Sequence, residues 1–82
     1  MNDLGAGVLK ALESSSLGRM SIYVLSKQGR DLGIDIDNLA PEEVVKLTAR
    51  LKAVLPFFLG EETEEVINQI RRLTNNTTMV TT

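Results

Sequence analysis
The chain has 82 residues, 43% hydrophobic and 24% charged, with a formal net charge of −2 and no cysteine or histidine. Those absences exclude a disulfide framework, thiolate metal sites and thiol chemistry, and they remove the commonest general base and transition-metal ligand. The acidic surplus gives no bulk attraction to nucleic acid or anionic lipid. At this length the chain makes a single domain that buries a little over ~60% of its unfolded surface.

Tyr23, Phe57 and Phe58 are the only aromatics, so the expected core is aliphatic. The start of the chain, Met1-Asn2-Asp3-Leu4-Gly5, lacks a basic segment followed by an apolar one, and no apolar run reaches membrane-spanning length. The expectation is a cytoplasmic protein that does not engage a membrane. Asn75-Asn76-Thr77 and Asn76-Thr77-Thr78 match the glycosylation pattern, and in that setting they read as chance matches.

Residues 3–13 predict an amphipathic helix: Leu4, Val8, Leu9, Ala11 and Leu12 fall at helical spacing, with Asp3 expected as its cap. Gly5 and Gly7 lower its propensity, so it needs docking for stability. Ser14-Ser15-Ser16 breaks the pattern. From 17 to 33 a helical stripe of Leu17, Met20, Val24, Leu25 and Leu32 ends at Gly33, a natural left-handed stop. Residues 20–25 are also rich in strand formers. A lone strand there has only Ile34-Asp35-Ile36 as a mate within the chain, so it would pair across a dimer; helix is the preferred reading.

Residues 33–38 read as a connector. Beyond it, Leu39 and Val44 occupy the positions of a hydrophobic staple around Ala40-Pro41-Glu42-Glu43, with proline at the first helical position and acids in the first turn. A helix over 41–55 follows, with Val44, Leu47, Leu51, Val54 and Leu55 expected inside and Glu42 and Glu43 spaced to support Lys46. Pro56 ends or kinks it. A last helix over 61–74 carries Val66, Ile67, Ile70 and Leu73 on one face, acids at its start, and Arg71-Arg72 near its end, complementing the helix dipole. Residues 75–82 are polar, β-branched and unpatterned, and are expected to form a flexible tail. The predicted fold is therefore all-α: about four helices within residues 1–74, closing with an antiparallel helical hairpin.

The candidate sites are few. Asp31, Asp35, Asp37 and Asn38 resemble a calcium loop in composition, but a loop starting at Asp35 would put Ala40 at the glycine position and Lys46 at the glutamate position, so a cap-forming connector is expected. Glu61, Glu62, Glu64 and Glu65 read as the first turn of a helix. Ser14, Ser15, Ser16 and Ser21 have no histidine to activate them, a pair with Lys27 has no motif around it, and Gly5-Ala6-Gly7 is no phosphate loop. The sequence therefore predicts no catalytic residue, no cofactor and no metal.

The elbow Pro56-Phe57-Phe58-Leu59-Gly60 holds two of the three aromatics. Placed in a turn, Phe57, Phe58 and Leu59 either cap the core or form an apolar patch that docks a protein partner or a second copy. The favoured expectation is a non-enzymatic interaction module that self-associates, as a homodimer in its simplest form. The alternative is a dimeric DNA-binding regulator of ribbon-helix-helix or helix-turn-helix type, with Arg19, Lys27 and Arg30 as its basic surface. Four glutamates at the start of the last helix would repel phosphate, which counts against nucleic acid.

Overall fold
The computed structural model describes residues 1–79. Five α-helices follow one another: α1 Asp3–Glu13, α2 Ser21–Leu32, α3 Pro41–Val54, α4 Pro56–Leu59 and α5 Glu62–Met79, with 3-10 turns at Gly18–Met20 and Ile36–Asn38. No strand occurs among the described residues. The fold is all-α, and 20–25, the ambiguous stretch, is helical from Ser21 on.

The neighbours run in a closed ring: α1 packs on α2, α2 on α3, α3 on α5, and α5 back on α1. Inside the ring lie Val8, Leu12, Leu25, Val44, Leu47, Leu51, Leu55, Val66, Ile67 and Ile70, each nearly inaccessible. No aromatic is among them. Val44, Val45 and Thr48, early in α3, flank the same groove as Arg71 and Thr74 of α5, as in an antiparallel pair.

Local chemistry explains the boundaries. Asn2, not Asp3, caps α1: its side-chain oxygen accepts from the Gly5 N–H at 2.9 Å. The same side chain donates to the Leu39 carbonyl at 2.9 Å, which ties α1 to the entry of α3. A Cβ at Gly5 would run into the Ile36 carbonyl, so the glycine that weakens α1 in isolation is what lets it dock. Gly33 sits at φ 70°; its N–H bonds to Arg30 O at 3.1 Å and that of Ile34 to Gly29 O at 2.8 Å, closing α2 in a Schellman motif. At α3, Leu39 and Val44 are both buried as the staple requires, and Glu43 accepts from the Ala40 N–H at 2.9 Å. Turned back to cap the helix, Glu43 makes no ion pair with Lys46 among the described residues.

Two further expectations, on the α2 stripe and on the end of α5, need correction. The stripe on α2 is out of phase with its lead-in. Gly18 takes φ 52°, so Leu17 is buried while Met20 stands 53% exposed, and Ser21 and Gln28 fill the inward positions. Pro56 ends α3, as expected, but the chain does not reverse there. Leu55 stays in the right-handed helical region and Pro56 opens the single turn α4, where its missing N–H is harmless. The reversal comes at Gly60, φ 56°. Finally, α5 does not stop near Thr74. With no glycine or proline after Gly60 nothing breaks the hydrogen-bond ladder, and the backbone is helical to Met79. The last part of the expected tail, 80–82, lies outside the described residues.

Candidate interaction surface
Because α4 keeps the helical phase of α3, residues four apart still share a face. Leu59 therefore extends the buried row Leu51–Leu55 and packs against the core. Phe58 extends Val54, and Phe57 extends the outer row of Ala49 and Ala53. Phe57 is 89% exposed and Phe58 56%. The expected trio thus splits: two rings face outward and Leu59 turns in. The rings do not cap the core.

Phe58 and Val54 form one wall of a groove of about 370 Å³; Met20, Tyr23, Val24, Lys27 and Gln28 of the neighbouring segment form the other. Tyr23 is 69% exposed. Sequence reasoning missed Met20 and Tyr23 as members of this surface, because the stripe put Met20 in the core and considered Tyr23 only as a strand residue. The available signal was their three-residue spacing together with the glycine that breaks phase before them.

One end of the groove is polar and fixed. Gln28 is buried, and its side-chain oxygen accepts from Arg50 Nε at 2.9 Å. Asp31 stands beyond it, 3.0 Å from Lys27 Nζ and 3.7 Å from an Arg50 guanidinium nitrogen. The Lys27 hydrogen bond, helped by the charges of Lys27, Arg50 and Arg30, holds the Asp31 carboxyl below its ordinary range. The α2–α3 pair is therefore cross-linked by a charged cluster at one end and lined by exposed apolar side chains at the other.

The other candidates disperse. Asp35 accepts from the Asp37 N–H at 3.0 Å and from Asn38 Nδ2 at 3.1 Å, and these bonds lower its pKa. Asp37 lies 3.6 Å from the Met1 ammonium, and Asp31 is held in the cluster above. Each carboxylate is spent on a separate local contact. No group of three or more acidic side chains able to hold a metal ion occurs among the described residues. Ser21 is fully buried with no hydrogen-bond partner for its hydroxyl among the described residues, whereas Lys27 is exposed and bonded to Asp31, so the two do not form a nucleophile pair. Ser15 donates to the Leu12 carbonyl and Ser14 to that of Ala11 at 2.8 Å, which makes both helix-end residues. Residues 21–25 are the first turn and more of α2, so the strand on which a ribbon-helix-helix reading depends is absent. No helix among the described residues is long and apolar enough to cross a membrane.

No protein family, no curated protein and no solved structure matches the chain.

Proposed function
We propose that the chain is a non-enzymatic helical interaction module that binds protein through the exposed aromatic face around Phe57, Phe58 and Tyr23, and that it self-associates through this face. One observation carries the reading. All three aromatics of the chain are exposed, at 69, 89 and 56% for Tyr23, Phe57 and Phe58, while every buried hydrophobic side chain of the core is aliphatic. Aromatic rings bury more area than any other side chain and dominate interfaces when they are desolvated. A domain this small gains most from placing them inside, so their common exposure, with Tyr23 and Phe58 on one groove, supports an external use. The cytoplasmic setting rests on the expectation from sequence.

The test is sedimentation of the wild type and of the Phe57→Ser, Phe58→Ser double variant over a concentration series. The expected result is a larger species for the wild type and a shift toward monomer for the variant, with the helical circular dichroism spectrum retained. A wild type that is monomeric at every concentration would overturn self-association. A double variant that unfolds would assign the rings to the fold itself.

A further inference from the structure
The groove between α2 and α3 changes character along its length. On α2, Tyr23 and Val24 are followed one turn later by Lys27 and Gln28, all four on the groove. Read backward from α4, Phe58 and Val54 lead in the same way to Arg50. The Gln28–Arg50 hydrogen bond brings these polar side chains to one end. The exposed Met20, Tyr23 and Phe58 belong to the other, about 6–12 Å away over four to eight helical residues.

The polar end holds an unmet donor. Gln28 is only 6% exposed. Arg50 Nε donates to its side-chain oxygen at 2.9 Å, which settles the amide orientation and leaves Nε2 with two N–H donors. Among the described residues no acceptor takes them, and Nε2 is not sealed from solvent. Unmet donors on side chains this buried are uncommon, and the groove that Gln28 lines is where a ligand can reach this one. Beside it, Lys27 Nζ gives one N–H to Asp31 at 3.0 Å and keeps two more. Lys27 and Arg50 share that single carboxylate, so the three groups sum to one positive charge. Asp31 is the one acid of α2; the acids of α3, Glu42 and Glu43, lie about 10–12 Å before Arg50 along the helix.

We propose that this groove binds a small carboxylic acid with an apolar body, of the aryl-alkanoate or medium-chain fatty acid class. Its carboxylate accepts from Gln28 Nε2 and Lys27 Nζ, and its body lies over Val24 and Val54 between Tyr23 and Phe58. The groove's volume of about 370 Å³ falls within the range of small-molecule sites, which are mostly apolar with a few placed polar groups. A purely apolar occupant would leave the Gln28 donor unmet. A partner helix bonds its own carbonyls internally, so its backbone offers this recessed donor nothing. The site is independent of the self-association reading, although ligand and second copy would compete for Tyr23 and Phe58.

The experiment titrates the full chain, diluted until sedimentation shows monomer, with 4-phenylbutyrate and with 4-phenylbutylamine, which has the same apolar body and the opposite charge. Tyr23 is the only tyrosine in a chain without tryptophan, so its fluorescence reports on the groove, and backbone amide shifts locate the ligand. The acid should bind saturably, with shifts concentrated at 20–28 and 54–58, and the amine about tenfold more weakly or not at all. Gln28→Glu keeps an acceptor for Arg50 but replaces the donor with a negative charge, and it should weaken the acid about tenfold with the helical spectrum retained. Should that variant unfold, Lys27→Gln at an exposed position carries the test, again by weaker binding of the acid. No saturable response up to about 10 mM, equal binding of acid and amine, shifts confined to another face, or a folded Gln28→Glu that binds as wild type would each overturn the site. A wild type that binds the acid but never self-associates upholds the site and overturns the earlier reading; one that self-associates and ignores the acid does the reverse.

Discussion
The two flanks of α3 make opposite use of apolar side chains. On the α5 side, Val44, Leu47, Leu51, Val66, Ile67 and Ile70 are sealed inside, and the groove left at the surface is edged by small and polar residues, Thr48, Ala49, Arg71 and Thr74, together with the exposed Val45. On the α2 side the helices meet through Val24, Leu25 and the Gln28–Arg50 hydrogen bond, and Met20, Tyr23 and Phe58 are left outside. Stability and surface chemistry are therefore separated by residue type as well as by position. The aliphatic side chains hold the ring of helices closed, and the aromatics are free to serve another surface.

Substitutions on the two flanks should differ in kind. The largest effect belongs to the α5 side: Leu51→Ala or Ile70→Ala, each removing a side chain at 0% exposure, should cost about 2–5 kcal/mol in denaturant unfolding. That is a large part of the ~5–15 kcal/mol that holds a small domain together. A loss below about 0.5 kcal/mol at both, the range of surface positions, would dissolve the contrast. Gly5→Ala tests the docking of α1. Alanine improves helix propensity by about 1 kcal/mol, but its Cβ meets the Ile36 carbonyl, and backbone overpacking costs on the order of 1–3 kcal/mol. The expected net result is a lower melting temperature; a higher one would show that the connector yields freely.

On the aromatic flank, Phe57→Ser should change monomer stability by less than about 0.5 kcal/mol, because the ring is 89% exposed. An unfolding midpoint far below wild type under monomeric conditions would place Phe57 in the fold. The smallest effect is expected at Asp31. Its carboxyl titrates below its ordinary range because of Lys27, so its favourable contribution is present above the unfolded aspartate value of about 3.9 and fades as pH falls through the lower folded value. Asp31→Asn should therefore melt slightly below wild type near neutrality, with the gap closing in acid. A gap that widens in acid would contradict the Lys27 pairing.

The helices were legible because their signals are local. The staple of Leu39 and Val44, Pro41 at the first helical position, and Gly33 as a left-handed stop each depend on a few adjacent residues, and each appears where the spacing puts it. The outer surface was harder to read. Placing Met20 correctly needs the backbone angle at Gly18, since a glycine that rotates the chain resets which side chains point inward. Phe57 and Phe58 could be picked out as a pair, but their exposure depends on Pro56 continuing the helix. A residue before proline usually avoids the helical region, yet Leu55, wholly buried, holds it. The α2 wall of the groove is brought to Phe58 by tertiary packing, which no periodicity along one helix encodes.

The phase kept through Pro56 has a consequence for how this region can vary. Each residue advances a helix by about 100°, so one insertion between Leu55 and Leu59 would swing the following side chains by that angle. Leu59 would leave the buried row and a phenylalanine would be forced toward it. Substitution at 57 or 58, by contrast, alters only what is displayed. The segment is thus tolerant in spelling and intolerant in length: a binding surface could be retuned there by point changes, while a single added or lost residue would exchange inside for outside.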